Sequence, residues 1–82
     1  MTRWTVRLFG PAREAIGTDR TEVDVGEPAT AAAVVEAVAA RHPEIADLLP
    51  RSRVAVEREY VDPEARLRPG DEIAILPPVG GG

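Results

Sequence analysis

TAAAVVEAVAARHP occupies residues 30–43 and is the longest helical pattern in the chain. Its apolar residues recur at i, i+3, i+4, i+7 and i+8, which places them on one stripe of a helix: Ala31, Val34, Val35, Val38 and Ala39. Thr30 is a good N-cap before the stripe, and Pro43 stops the helix after it. The segment therefore predicts one main amphipathic helix whose apolar stripe needs a partner surface.

Short segments with strand-like alternation flank this helix on both sides. Before it, Trp4, Val6 and Leu8 alternate with polar residues, and residues 21–25 alternate again. After it, the same period appears in residues 54–56, 60–61 and 72–76. The predicted order is strand, strand, helix, strand, strand, strand. We expect an α+β roll, in which a mixed sheet of four to five strands is crossed by one main helix.

Shorter features fill the gaps between these elements. Residues 12–16 form a short segment that Gly17 closes as a helix C-cap, and residues 45–49 supply one further turn, which Pro50 ends. Residues 68–71, Arg-Pro-Gly-Asp, have Pro and Gly at the second and third positions, which is the pattern that a type II turn favours. The link Glu57-Arg58-Glu59 lacks the Gly or Asn that a tight hairpin prefers, so its geometry stays open.

Composition excludes several classes of protein. The 82 residues carry fourteen acidic and ten basic side chains, a net charge of −4, which argues against nucleic-acid binding. No apolar run is long enough for a membrane span, and no cysteine is present, which fits a soluble protein of the cytoplasm. All ten basic residues are arginine, so no lysine side chain is available for Schiff-base chemistry or for an isopeptide bond.

The side chains that enzymes use are few and scattered. His42 is the only histidine and precedes Pro43 at the predicted helix end, where a cation complements the helix dipole. Ser52 is the only serine and has no triad partner nearby in sequence. The acidic pairs 57/59 and 71/72 fall in turns and on exposed strand faces, where solvated charge is expected rather than a metal site. The sequence predicts that the chain is not an enzyme on its own and binds no metal.

The last six residues read PPVGGG and differ from the rest of the chain. Two prolines end the preceding strand because neither donates a backbone hydrogen bond. Extended at about 3.3 Å per residue, residues 77–82 reach roughly 20 Å. We therefore predict a domain of residues 1–76 and a projecting flexible tail of residues 77–82. A loose terminus without function is the alternative reading.

Glycine suits this tail to chemistry performed by another protein. Without a Cβ, Gly80 and Gly81 can thread a narrow channel and place the Gly82 carboxylate in a partner's active site. That carboxylate is ionised at neutral pH and is a poor acyl donor, and adenylation by ATP would activate it. The expected reactive group is therefore the last residue, Gly82, and the chain itself is expected to bind no cofactor.

The sequence resembles the molybdopterin synthase small subunit, a ubiquitin-like sulfur carrier related to the thiazole-synthesis carriers. Residues 8–17, LFGPAREAIG, resemble the first strand and loop of that family, and residues 67–82, LRPGDEIAILPPVGGG, resemble its last strand and tail. The resemblance covers essentially the whole chain and implies a β-grasp fold. In two places the chain departs from the family pattern: Glu57 stands where asparagine often ends the third strand, and Gly80 where Ser or Thr is frequent.

The resemblance implies a defined cycle for the tail. Gly82 is adenylated by a ubiquitin-activating-type adenylyltransferase, which uses ATP, and is then thiocarboxylated with sulfur from a sulfur-donating enzyme. The tail next enters the large subunit of molybdopterin synthase, where sulfur passes to a cyclic pyranopterin phosphate to build the dithiolene. Gly80 and Gly81 thread the partner's site. Carriers for cysteine, thiazole or tRNA thiolation, a ubiquitin-like protein modifier and an inert interaction domain remain as alternatives.

Strand parity predicts where partners dock. Phe9 and Leu76 are apolar but fall on the outward side of their strands, which the β-grasp fold makes neighbours. Tyr60 extends this surface, and Pro77, Pro78 and Val79 continue it into the tail. We expect these six residues to contact the partner. Arg13 either adds a polar contact or is a solvated arginine.

Overall fold

The computed structural model describes residues 1–78 of the chain and contains one five-stranded sheet and two α-helices. The strands are, in chain order, β1 (Thr2–Leu8), β2 (Arg20–Val25), β3 (Arg53–Val56), β4 (Glu59–Val61) and β5 (Ile73–Leu76). The helices are α1 (Gly10–Ile16) and α2 (Ala31–Arg41), and two 3-10 turns follow α2 at Pro43–Ile45 and Leu49–Arg51. This is the α+β roll that the sequence pattern predicts, with α2 as the main helix.

The sheet is mixed, and its strand order is β2-β1-β5-β3-β4. β1 pairs antiparallel with β2 and parallel with β5, while β5 pairs antiparallel with β3. The first and last strands are therefore neighbours in the middle of the sheet. Because β5 has a partner on each side, its backbone is held more firmly than that of an edge strand.

One face of the sheet carries the hydrophobic core. The largest fully buried side chains lie on the inner face of β1 and β5, on α2 and in the turn after it: Trp4, Val6, Leu8, Val34, Val38, Ile45, Ile73 and Ile75. The Trp4 indole Nε1 donates a 3.1 Å hydrogen bond to the carbonyl of Val25, so burying the ring leaves no unpaired donor. The alternation in the sequence thus assigns the inner face of β1 and β5 correctly.

The start of α2 confirms the predicted cap. Thr30 has extended backbone angles, and its hydroxyl accepts a 3.2 Å hydrogen bond from the amide of Ala33. This bond satisfies one of the amides that a helix leaves free at its first turn. The helix ends at Arg41, before Pro43, as the sequence predicts.

The connection from β1 to β2 is longer than a hairpin, because α1 lies within it. The predicted segment 12–16 is a helix that begins two residues earlier, at Gly10, since proline is tolerated in a first helical turn. Gly17 caps it in the left-handed region at φ 87°, and its amide donates to the carbonyl of Arg13 at 2.8 Å. The predicted single turn over residues 45–49 is instead two 3-10 turns, and Pro50 lies inside the second.

The hairpin from β3 to β4 resolves the geometry that the sequence leaves open. Glu59 belongs to β4, so the loop contains only Glu57 and Arg58. Both have positive φ, 52° and 71°, as the two central residues of a type I′ turn require. Neither residue is glycine, and each L side chain in this region costs about 1 kcal/mol.

The turn before β5 matches its prediction. Gly70 has φ 91°, and the amide of Asp71 donates to the carbonyl of Arg68 at 3.0 Å. The Asp71 carboxylate in turn accepts a 2.8 Å hydrogen bond from the amide of Arg68. Asp71 therefore stabilises the turn rather than being only a solvated charge, and β5 starts at Ile73, one residue later than predicted.

Neither described helix has the length and apolar character needed to cross a membrane.

Candidate functional site

The predicted tail leaves the sheet at its centre. β5 ends at Leu76; Pro77 is buried and Pro78 is exposed. The predicted reactive residue Gly82, the threading residues Gly80 and Gly81, and Val79 all lie outside the described residues. The geometry of the site is therefore that of the surface around the end of β5.

The outer face of the sheet holds a shallow depression of about 330 Å³ beside this point. Its apolar floor and walls, called here the outer patch, are Phe9, Ala55, Tyr60, Ala74 and Leu76. Phe9 and Leu76 are half-buried, whereas Tyr60 keeps 58% of its surface exposed. Phe9 and Leu76, predicted by strand parity, and Tyr60 thus border one concave surface, although Phe9 lies one residue beyond β1, at the N-cap of α1.

Two alanines on adjacent strands explain the concave shape. Ala55 of β3 lies directly opposite Ala74 of β5, and Tyr60 of β4 lies opposite Ala55. The small side chains leave room between the larger Tyr60 and Leu76. A depression of this kind can accept an apolar side chain from a partner, whose burial there would contribute about 25 cal/mol per Å² of area removed from water.

Three arginines lie at or beside the border of the outer patch and are called here the arginine rim: Arg7 and Arg58 line the depression, and Arg53 contacts Tyr60. The guanidinium of Arg53 lies over the Tyr60 ring at 3.8 Å from its centroid, and that of Arg7 lies 5.4 Å from the centroid of Phe9. Arg58 lines the depression from the β3–β4 turn. The rim is cationic although the chain as a whole carries a net charge of −4.

A carboxylate holds the β3–β4 turn against β5. The side chain of Glu57 accepts a hydrogen bond from the amide of Glu72, and the amide of Glu57 donates to the Glu72 carbonyl at 2.9 Å. Glu72 also approaches Arg7, with 3.7 Å between Nη1 and Oε2. These two hydrogen bonds to Glu72 stabilise Glu57 in its left-handed conformation, although it is not a glycine.

The isolated polar residues have structural partners. His42 Nε2 lies 2.8 Å from the hydroxyl of Thr21, which is buried, so the histidine satisfies a polar group next to the core. The Ser52 hydroxyl donates to the carbonyl of Leu48 at 2.8 Å. Arg13, the predicted polar contact, is exposed on α1. Within residues 1–78 no three His, Cys, Asp or Glu side chains are grouped so that they could hold a metal ion.

Comparison with known proteins identifies the family. The model of the ThiS family matches residues 6–82, which includes the glycine tail. The chain belongs to the ThiS family. This agrees with the resemblance seen in residues 8–17 and 67–82.

Named relatives of this ThiS-family chain are similar over nearly their whole length. The molybdopterin synthase sulfur carrier subunit of Escherichia coli is 38% identical over 79 residues, which cover 94% of this chain and 96% of the relative. Carrier subunits with the same name from several other organisms match at 32% to 37% identity. The relatives are named as carrier subunits, in agreement with the prediction that this chain is not an enzyme on its own.

Solved structures similar to this ThiS-family chain show the fold. SAMP1 of Haloferax volcanii, a small archaeal modifier protein, has a TM-score of 0.86 at 26% identity, covering 98% of this chain and 99% of that one. The BexX/CysO complex of Amycolatopsis orientalis contains a chain with a TM-score of 0.75 at 29% identity, covering 95% and 98%. The ubiquitin-like β-grasp prediction is confirmed.

Sequence reasoning missed much of the surface around the three predicted docking residues. Ala55 was not predicted to lie on this surface because it stands between two valines in the sequence. Alternation alone nevertheless places it on the opposite face from them. Arg53 and Arg58 had no signal in sequence, since exposed arginines are common. Only the pairing of β3 with β5 brings them beside Phe9 and Leu76.

Proposed function

We propose that this chain is a sulfur carrier that delivers sulfur for dithiolene formation in molybdopterin synthesis, as the small subunit of a molybdopterin synthase. The match of the ThiS family model through residue 82, together with near full-length similarity to named sulfur carrier subunits, carries this proposal. The chain supplies the attachment point and the docking surface, and partner enzymes supply the catalysis.

The chemistry at Gly82 proceeds in two activating steps. A carboxylate oxygen of Gly82 attacks the α-phosphorus of ATP on the adenylyltransferase, diphosphate leaves, and an acyl-adenylate forms. Hydrosulfide released by the sulfur-donating enzyme then attacks the acyl carbon, AMP leaves, and the product is a C-terminal thiocarboxylate. Adenylation is needed because an ionised carboxylate repels nucleophiles and has no acceptable leaving group.

Delivery uses the tail and the outer face together. The outer patch docks on the large synthase subunit, and Pro77 and Pro78 direct the tail away from the end of β5. Gly80 and Gly81 thread the partner's channel because they have no Cβ. The thiocarboxylate sulfur attacks a side-chain carbon of the cyclic pyranopterin phosphate and displaces an oxygen substituent from it, and hydrolysis of the acyl–sulfur bond then leaves the sulfur on the pterin and returns the Gly82 carboxylate. A second thiocarboxylated chain supplies the other sulfur of the dithiolene.

The position of β5 supports this division of labour. β5 is paired on both sides, so the tail starts from a firmly held strand, and Leu76 belongs at once to the strand end and to the outer patch. A partner that docks on the patch therefore meets the end of β5, where the tail begins, in a fixed place. This reduces the conformational freedom that the tail loses when it enters the active site.

Intact mass spectrometry tests the proposal. The untagged chain is incubated with ATP, the adenylyltransferase from the same genome and a sulfur source. We expect a mass gain equal to the replacement of one oxygen by sulfur, and no gain in a variant that lacks Gly82. An unchanged mass, obtained with an enzyme that thiocarboxylates another carrier in the same experiment, would contradict the proposal.

The sulfur acceptor is tested separately. The thiocarboxylated chain is mixed with the large synthase subunit and cyclic pyranopterin phosphate, and dithiolene formation is followed by mass. Thiolation of a precursor of cysteine, thiazole or tRNA, without dithiolene formation, would assign the carrier to one of those pathways. The named relatives favour the molybdopterin product.

A protein modifier is the second candidate function, because the similar SAMP1 is a small archaeal modifier protein. In this case the Gly82 acyl-adenylate would react with amines of other proteins. This chain has no lysine, so branched chains of itself through side chains cannot form. Higher-mass bands that react with an antibody to the chain, and that disappear on deletion of Gly82, would support this function.

A further inference from the structure

The arginine rim is positively charged, whereas the chain as a whole carries a net charge of −4. Arg7 and Arg58 line the depression, Arg53 lies over Tyr60 at its border, and Glu72 is the carboxylate that lines the same depression. No ion pair is formed by Arg53 or Arg58 within residues 1–78, whereas Arg7 is paired only at 3.7 Å with Glu72. The surface next to the tail therefore offers cationic groups that the folded body does not use.

The position of the Arg53 guanidinium favours binding of a carboxylate. The Arg53 guanidinium lies over the Tyr60 ring, 3.8 Å from its centroid, and a guanidinium held on a ring face leaves N–H donors available to other partners. Those donors match the two oxygens of a carboxylate. Because stacking already restricts the side chain, binding a carboxylate costs less conformational entropy than ordering a free arginine.

Arg58 is held over the patch by a conformation that weakens the fold. The left-handed φ angles of Glu57 and Arg58 are costly for residues with a Cβ, and the bonds between Glu57 and Glu72 keep the turn in place. A glycine would adopt the same turn without strain but would leave no guanidinium beside the patch. Strained backbone of this kind is concentrated at ligand-binding and other functional sites.

Arg7 shows two further costs on the same face. It lies directly opposite Arg20 in the β1–β2 ladder, an arrangement of like charges that disfavours pairing. Its Nε is buried without a hydrogen-bond partner among residues 1–78. Several destabilising arrangements therefore occur on one surface. Because they do not stabilise the isolated domain, they indicate that this surface binds a partner.

We propose that the outer patch and its arginine rim select partner surfaces in which an apolar side chain is surrounded by Asp or Glu carboxylates, with Arg53 and Arg58 as specificity-determining residues. The identity of the partner, the large synthase subunit, rests on the proposed function. The partner's apolar side chain fills the depression over Ala55 and Ala74, and its carboxylates pair with the rim. Docking is therefore accelerated by charge attraction.

Association kinetics test the inference with the full chain. Binding to the large synthase subunit from the same genome is measured by stopped flow at about 20 mM and about 0.5 M salt, where attraction between exposed charges is respectively strong and screened. We expect the double variant Arg53→Glu, Arg58→Glu to associate about tenfold or more slowly at low salt, and this difference to shrink at high salt.

A matched variant controls for total charge. Arg41→Glu, Arg66→Glu makes the same change in net charge at two exposed arginines that do not line the depression, and should slow association by no more than about twofold. Circular dichroism checks that both variants fold. The uncharged pair Arg53→Gln, Arg58→Gln should lie between the wild type and the Glu variant. Equal slowing by rim and control variants, or faster association of the rim variant, would overturn the inference.

A peptide titration separates this inference from the proposed function. The probe is a peptide with one leucine flanked by glutamates, and its control has glutamines in their place. NMR should show shifts of the Ala55, Ala74 and Leu76 amides with the acidic peptide alone. If Gly82 is never thiocarboxylated and the acidic peptide still binds, the proposed function fails and the inference stands. If thiocarboxylate forms but the two peptides behave alike, the inference fails and the function stands.

Discussion

Within strand β5, Ile73 and Ile75 are fully buried, whereas Ala74 and Leu76 on the opposite face keep part of their surface exposed. The inner residues pack in a core with α2, and the outer ones line a depression bordered by Tyr60 and arginines. The comparison teaches that one short strand serves two purposes, because alternate residues point to opposite faces. The inner face stabilises the domain, and in our proposal the outer face is reserved for a partner.

The largest effect on stability is expected from the inner face. Ile75→Ala removes a side chain with no exposed surface and should lower the free energy of unfolding by about 3 kcal/mol, because the core cannot fill the cavity completely. Urea denaturation measures this change. The neighbouring variant Leu76→Ala should cost about 1 kcal/mol or less. Equal losses from the two variants would show that the faces do not differ as described.

The next effect is on partner binding by the outer face. Leu76→Asp places a carboxylate in the outer patch and should raise the Kd for the large synthase subunit by about 30-fold or more, as expected when an apolar anchor is lost. Calorimetric titration measures the Kd, and thermal unfolding checks the fold. Ala40→Asp, an exposed position on α2, is the matched control. Global unfolding of the Leu76 variant would contradict its outward placement.

A smaller effect is expected at the cap of the helix that covers the inner face. Thr30→Ala removes the hydroxyl that accepts from the Ala33 amide and should cost about 1 kcal/mol of unfolding free energy. Thr30→Ser keeps the acceptor and should be nearly neutral. Partner binding should not change in either variant, because the cap lies away from the outer patch. A loss of stability common to both variants would assign the effect to the methyl group instead.

The smallest effect sharpens the contrast between stability and recognition. Arg58→Gly relieves the left-handed strain and should raise the free energy of unfolding by about 0.5 kcal/mol while it weakens partner binding. Arg58→Ala also removes the guanidinium but keeps a Cβ, so it should weaken binding without the gain in stability. Urea denaturation of the pair isolates the strain, and identical stabilities would contradict it.

A structural feature could be predicted from the sequence when the residues that form it are close together along the chain. The Thr30 cap, the Gly17 cap and the turn at Gly70 were predicted correctly because each depends on residues within a few positions of one another. The type I′ hairpin was not, because Glu57 and Arg58 do not have the usual turn residues. Its geometry depends on Glu72, fifteen positions along the chain, which no local pattern reveals.

Local sequence patterns were enough to predict the fold class, the face to which each residue of β1 and β5 points, and the position of the predicted reactive residue, since periodicity and a terminal glycine run are local properties. The folded chain was needed to show that Ala55 lies opposite Ala74, that Arg53 lies over Tyr60 and that Arg58 lines the same depression. These contacts depend on strand order and register, which are set by hydrophobic burial over the whole sheet.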